Sequence, residues 1–282
     1  MEKIRFIADI GSNHNNDLSR IRLLIEEAKQ AGCWGVKFQL FKAKKLYAPG
    51  HIPEDLKDSE LNPAFIKNIA AICLDNKIKF GCTPFDLESV DVIKPYVDFI
   101  KISSFDILRL GLILKCAKTK IPLHISTGMA NTDEIRKAVI AANCVHVLYD
   151  CVSKYPAKTE DISMHKLQAF DTTLNTLMSQ VKYKGWSDHS RKEGVIIAAV
   201  CNGARWIEVH LDRVDYKGIE SKHGHCWDMF DLKIAIENAN DAYKVMVNMF
   251  AFSTEEERRQ RADSKDGLRP MQIARNWEGE KI

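Results

Sequence analysis

The sequence predicts an α/β protein, a single (β/α)8 TIM barrel with a short C-terminal tail. Three observations carry that prediction. Short apolar runs alternate eight times with amphipathic stretches, about 35 residues to a unit, and strands alternating with helices imply a parallel sheet. The length of 282 residues suits one barrel of about 250 residues better than two small domains. Polar and titratable side chains collect just past the apolar runs, where a barrel carries its chemistry.

The first run is Ile4 to Ile10, stopped by Gly11. Asp17 is a favoured helix cap, and Leu18, Ile21, Leu24, Ile25, Ala28 and Ala31 recur at helical spacing before Gly32. Trp34 to Gln39 is the second strand. A polar insert from Leu40 to Asn62 follows, and a loop of that length in a compact fold is usually functional or mobile. Pro63 is placed to open the helix that runs to Asn76. Lys79 to Thr83 is the third strand, with a helix expected from Asp86 to Tyr96. Phe99 to Ile102 is the fourth, with a helix from about Ile107 to Lys118. Leu123 to Ser126 is the fifth; Thr132 is expected to cap the helix to Ala142, with Glu134 in its first turn. Cys144 to Tyr149 is the sixth strand, and Asp161 to Gln180 is expected to be helical despite weak periodicity. Lys182 to Trp186 and Ala204 to Val209 are the last two strands, joined by a helix within Arg191 to Gly203. Asp228 to Phe250 makes a final helix. The barrel domain is assigned to residues 1–252 and a charged tail to 253–282.

The formal charge is +3, with no basic stripe, so nucleic acid is not expected as a partner. No apolar run approaches the ~20 residues of a membrane span, and no signal peptide is read at the N-terminus. The eight cysteines include no C-x-x-C pair. They read as reduced thiols in a cytoplasmic protein, serving as small hydrophobes. Cys151 as a nucleophile is the lesser alternative.

The strand ends carry the candidate chemistry. His189 and His210 end two successive strands. Neighbouring parallel strands lie roughly 4.8 Å apart, so both imidazoles can reach one divalent metal. Two hydrogen-bonded rim histidines are the other reading. Lys37 and Lys101 emerge inside apolar strands, and lysine is almost never buried without a partner. A structural pairing of Lys37 with Asp9 or Glu208 explains one lysine more easily than two. Hydroxyls facing two lysines make a site for a phosphate or carboxylate. A His pair adds a Lewis acid, and nearby carboxylates add proton transfer. Together they point to an anionic phosphorylated substrate meeting a metal-activated carbonyl.

ADIGSNH (8–14), VKFQ (36–39), CTPF (82–85), KISSFD (101–106), STGM (126–129), KYP (154–156), WSDH (186–189) and EVH (208–210) stand in this order at the strand ends. As a set they resemble the catalytic barrel of the sialic acid synthase family, which includes the synthases of N-acetylneuraminate, legionaminate and pseudaminate and spore-coat polysaccharide relatives. The likeness spans roughly residues 4–210. It implies a metal-dependent transferase that condenses phosphoenolpyruvate with the open-chain aldehyde of an N-acyl hexosamine, similar to N-acetylmannosamine. The products are a nine-carbon 2-keto-3-deoxy sugar acid and phosphate.

By the resemblance, His189 and His210 are ligands of a divalent metal, manganese first, with magnesium or cobalt as alternatives. Lys37, Thr83, Lys101, Ser104, Ser126 and Ser187 surround phosphoenolpyruvate and the reacting centre. Tyr155 lies beside the sugar, and Gln39 and Asp9 face the acceptor and the metal's water shell. Asp106 matches the acidic residue that assists proton transfer or stabilises the oxocarbenium; a helix cap is its bland alternative.

Three departures from the family pattern stand out. The small C-terminal antifreeze-like domain, which supplies an arginine to the partner subunit's site, is not read in this chain, which bears on the homodimer the family implies; Arg269 of the tail is either its substitute or a solvated tail arginine, the second being the favoured reading. Ser153 stands where the family often has Asn, altering one substrate hydrogen bond. The usual glycine-proline-aspartate after strand eight is replaced by the stretch from Glu220 to Asp228, where His223 and His225 either line the pocket or form a polar loop. The rivals are a barrel aldolase using Lys37 or Lys101 as a Schiff-base amine, another phosphoenolpyruvate-condensing enzyme acting on a phosphorylated aldose, and a non-catalytic sugar-binding barrel.

Overall fold

The computed structural model describes residues 3–247, apart from 49, 54–55, 57–58 and 174–176. The expected tail and Arg269 lie outside the described residues. Eight strands run in chain order: β1 (Arg5–Gly11), β2 (Gly35–Leu40), β3 (Lys79–Pro84), β4 (Phe99–Ile102), β5 (Leu123–Ser126), β6 (Val145–Cys151), β7 (Val181–Asp188) and β8 (Trp206–His210). Each pairs in parallel with the next, and β8 closes on β1. A main helix follows each strand: α1 (Leu18–Ala31), α2 (Ile66–Asp75), α3 (Leu87–Ile93), α4 (Leu110–Lys118), α5 (Thr132–Ala142), α6 (His165–Thr173), α7 (Glu193–Cys201) and α8 (Met229–Val247). The expected TIM barrel is what the chain builds, within a compact unit that ends at Tyr243. No described helix is long and apolar enough to cross a membrane.

Strand alternation sorts the side chains into two sets. Successive residues of a strand face opposite sides. In β1, Phe6, Ala8 and Ile10 join the large core under the helices, while Ile7 belongs to a second cluster with Phe99, Val147, Tyr149 and Trp206. The alternation puts that second cluster inside the barrel. Gly81 makes room for it: a Cβ there would fall 2.1 Å from the Phe99 ring. The next inward position is polar on three of the strands that build this cluster. Asp9 follows Ile7, Lys101 follows Phe99, and Glu208 follows Trp206. The barrel therefore has an apolar floor and a polar upper layer, and the same period of two produces both.

Several boundaries differ from the sequence reading, for local reasons. The helix expected from Thr132 is capped by Asn131, which accepts from the Glu134 N–H at 3.0 Å while Glu134 returns a bond to the Asn131 N–H at 2.8 Å. This reciprocal arrangement satisfies two N–H groups at once. Pro63 opens a 3-10 turn (Pro63–Phe65), and the α-helix starts at Ile66. The weakly periodic stretch from Asp161 to Gln180 contains α6, a 3-10 turn on either side, and residues outside the description. Of the insert after β2, Ala43–Leu46 is a short helix, and the N–H of Ala43 donates to Glu60, tying the start of the insert to its end.

Candidate active site

The strand ends open into one cavity of about 420 Å³. Its walls include Asp9 and Ser12 from β1 and the turn after it, Lys37 and Gln39 from β2, and Thr83 from β3. Lys101 and Ser104 come from β4 and its turn, Ser126 from β5, and Tyr155 from the loop after β6. Ser187, His189, Glu208 and His210 complete the rim, and Phe41, Tyr47, Leu56 and Ser59 of the insert also line it. The long insert is thus part of the site.

Two of the expected residues do not reach the cavity. Ser153 lies one layer back, where its hydroxyl shares a 2.8 Å hydrogen bond with Ser104. Asp106 closes a 3-10 turn (Ser104–Asp106) and turns its carboxylate to Arg109, which donates at 2.9 Å. The same guanidinium donates to the Phe85 carbonyl, so the pair ties the loop after β4 to the one after β3. Asp106 does not cap α4 either, because that helix begins only at Leu110.

Glu208 is one of three carboxylates among the described residues that line the cavity, with Asp9 and Glu220. The register sets Ser187 beside it on β7, and Asp9 between Lys37 and His210. Glu208 Oε1 accepts from Lys101 at 2.9 Å and from Ser187 at 3.0 Å. Its Oε2 has no hydrogen-bond partner among the described residues and lies 4.0 Å from Lys37 Nζ. Lys37 instead pairs with Asp9 at 2.7 Å and donates to Thr83 at 3.1 Å. Lys101 also donates to Ser126 at 2.8 Å, and its ammonium lies 4.7 Å from the centre of the Tyr149 ring below. Both lysines therefore have carboxylate partners, not one alone.

The ionisation states follow. Burial acts to raise Glu208, but the Lys101 and Lys37 ammoniums and the hydrogen bonds from Lys101 and Ser187 outweigh it and hold the carboxyl well below the usual range. Burial acts to lower Lys37, yet Asp9 and Glu208 together raise it above an ordinary lysine. Lys37 and Glu208 are thus held ionised by the opposite charges beside them, in a medium of low polarity.

The histidines form the second half of the site. His189 Nδ1 lies 2.6 Å from the Val152 carbonyl and donates to it, which leaves Nε2 with its lone pair free. Burial, helped by His210, pushes His189 down to about 3, so the ring is neutral. His210 Nδ1 meets Glu220 Oε2 at 2.7 Å, and its Nε2 lies 3.7 Å from Asp9. The two rings are 5.4 Å apart between centroids. A buried, neutral imidazole with one nitrogen oriented by a carbonyl, beside a second oriented by a carboxylate, suits a divalent metal.

Glu220, His223 and His225 also line the cavity. The sequence leaves His223 and His225 between pocket and polar loop, gives Glu220 no role of its own, and offers Glu208 only as a possible ion-pair partner of Lys37. The usable signal for Glu220 was Gly218-Ile219-Glu220, a glycine two residues before an acid in place of glycine-proline-aspartate.

One consequence of these burials is measurable without substrate. Burial pushes His14 down to about 4 and both His189 and His225 down to about 3, against 6.5 for a free imidazole. The folded value is below the unfolded one, so below pH 6.5 the unfolded chain binds more protons and stability falls. His210 is raised and is charged in both states there, so it contributes nothing below that pH. Each neutral histidine should cost roughly 1.5 kcal/mol between pH 6.5 and 5. Urea unfolding in metal-free buffer should show a lower midpoint at pH 5, and an unchanged midpoint would contradict these assignments.

Residues 24–249 match the model of the NeuB family. An N,N'-diacetyllegionaminic acid synthase of Campylobacter jejuni is 34% identical over 233 residues, covering 75% of this chain and 68% of that one. A synthase of the same name from Legionella pneumophila is 32% identical, covering 85% and 72%. The crystal structure of an N-acetylneuraminic acid synthetase from Leptospira borgpetersenii superposes with a TM-score of 0.80 at 25% identity, covering 91% of this chain and 89% of that one. The chain belongs to the NeuB family.

Proposed function

We propose that this NeuB-family synthase, an enzyme that condenses phosphoenolpyruvate with a sugar, takes the open-chain aldehyde of an N-acyl hexosamine and releases a nine-carbon 2-keto-3-deoxy sugar acid and phosphate. One observation supports the reading above all. Two buried lysines, a buried carboxylate and two strand-end histidines share a single cavity.

The residues have complementary roles in such a reaction. The Lys37 and Lys101 ammoniums, with Thr83, Ser126 and Ser187 beside them, would hold the phosphate and carboxylate of phosphoenolpyruvate. Ser104, held in place by Ser153, would reach the same anion. Gln39 and Tyr155 would face the acceptor, with Asp9 positioned by Lys37 and by Gln39, which donates to it at 3.2 Å. His189 and His210 would hold a divalent metal, manganese first, which supplies a Lewis acid for the aldehyde oxygen.

Carbon 3 of phosphoenolpyruvate adds to the aldehyde carbon, leaving carbon 2 electron-poor. Water adds to carbon 2, one of its protons balancing the proton taken up by the former aldehyde oxygen. The second leaves as the carbon 2 ketone forms and the C–O bond to phosphate breaks, that proton and the electron pair of the bond going to phosphate. Glu208, anionic beside Lys101 and Lys37, would supply the negative charge that favours the electron-poor carbon 2. An aldolase would need a neutral lysine amine, whereas Asp9 and Glu208 hold Lys37 as ammonium.

The assay is phosphate release from phosphoenolpyruvate with N-acetylmannosamine, its 6-phosphate and a di-N-acetylated hexosamine, with and without manganese. Manganese-dependent release with one acceptor is expected; none with any of them would overturn the reading. Lys101→Ala should weaken phosphoenolpyruvate by about 1.5–3 kcal/mol, the value of a charge-assisted hydrogen bond. Calorimetry would read that as a tenfold or greater loss of affinity, and an unchanged constant would remove Lys101 from the anion site.

A further inference from the structure

The loop after β8 brings two more donors to His210. Glu220 Oε2 lies 2.7 Å from His210 Nδ1 and 3.9 Å from His225 Nε2. One donor atom from each of the three side chains falls within 4.8 Å of the other two. We propose that Glu220 and His225 are ligands of the divalent metal together with His210, so that the loop after β8 supplies part of the metal site. The inference shares His210 with the function proposed above and is otherwise independent of the substrates.

Donors on one ion lie roughly 2.1 Å from it, so two of them are at most about 4.2 Å apart. Both distances from Glu220 already meet that limit, and the third is no more than 4.8 Å, at most about 0.6 Å beyond it. The carboxylate is built into place. Its Oε1 accepts from the Ser12 N–H at 2.7 Å, which turns Oε2 toward the histidines. Gly11 leaves the space: it has φ +51°, and a Cβ there would fall 2.2 Å from Glu220 Oε1.

His225 is the sharper observation. Its ring is 2% exposed, and Nδ1 is buried with no hydrogen-bond partner among the described residues. The nearest groups to Nε2 are Glu220 at 3.9 Å and the Cys226 thiol at 4.0 Å, both long for a hydrogen bond. Nε2, the nitrogen nearer Glu220, is therefore left for a metal, while the buried Nδ1 would carry the ring proton. Packing keeps the ring near the other imidazoles: the Tyr155 ring lies 4.1 Å from His189 and 5.2 Å from His225, centroid to centroid.

The competing arrangement has Glu220 only orienting His210 through the Nδ1–H, as carboxylates do for metal-bound histidines. In that case His225 is a packed side chain and its loss leaves the metal alone. The test titrates the metal-free full chain with Mn2+ alone, by calorimetry, and counts coupled imidazole nitrogens by pulsed EPR. His225→Gln should bind Mn2+ at least about tenfold more weakly and show one imidazole nitrogen fewer than the parent. Glu220→Gln should weaken Mn2+ to a similar degree with the nitrogen count unchanged. His225→Asn is the second variant, read in the same way, should the first not fold. Affinity within twofold of the parent with an unchanged nitrogen count in a folded His225 variant overturns the proposal. No phosphoenolpyruvate or sugar is present, so that result leaves the condensation reading standing, and missing phosphate release leaves this one standing.

Discussion

Glu208→Gln is expected to lower turnover by at least about 100-fold while leaving affinity for phosphoenolpyruvate unchanged or tighter. The side chain is isosteric and still accepts a hydrogen bond from Lys101 or Ser187, so what the variant removes is the charge. In the proposed reaction that charge would have two effects. It would hold the lysines against the substrate's competing anions, and it would stabilise positive charge at carbon 2 as the bond forms. Removing it eases the first and forfeits the second, so kcat and binding should part company. Stability should fall too, because losing one member of a buried ion pair costs about 3–5 kcal/mol. Kinetics should therefore be run well below the melting midpoint, with folding confirmed by circular dichroism. Asp106→Asn is the control: its carboxylate faces Arg109 rather than the cavity, and turnover within threefold of the parent is expected. Glu208→Gln turning over within threefold would reduce Glu208 to an ion-pair partner of Lys101.

The barrel was legible in the sequence because two periods, one of two residues and one near 3.6, mark its strands and helices directly. Lys37, Lys101, His189 and His210 were legible for a related reason: each is a polar residue set into or just past an apolar run. Asp106 shows the limit. Its position five residues after Lys101 says nothing of direction, and the 3-10 turn swings the carboxylate to Arg109. Glu208 was visible but undervalued, since only the fold shows Lys101 and Ser187 converging on one of its oxygens. Glu220 and His225 sit in a loop without periodicity, so spacing gave no hint that they return to His210. Asn131 was passed over for Thr132 because both residue types cap helices, although Glu134, three residues after Asn131, marks the reciprocal pair.

His210→Ala should have the largest effect of any single change at the site. His210 belongs both to the strand-end pair with His189 and to the group with Glu220 and His225, so it is lost from the metal site whichever of these supplies the other ligands. A Lewis acid contributes several kcal/mol to a polarised carbonyl, and about 4 kcal/mol is roughly 10³-fold in rate. The expected result is therefore a drop in turnover of at least about 10³-fold, with weaker Mn2+ binding in calorimetry. The parent should lose activity to a chelator and regain it with manganese. The fold should survive, because His210 packs at the rim and not in the apolar floor, but the partly buried Glu220 loses a hydrogen-bond partner. That costs about 1–3 kcal/mol, which for a chain of this size is a fall of several degrees in Tm. If His210→Ala keeps full turnover in the presence of chelator, the site works without a metal, and the histidines are rim residues held by hydrogen bonds.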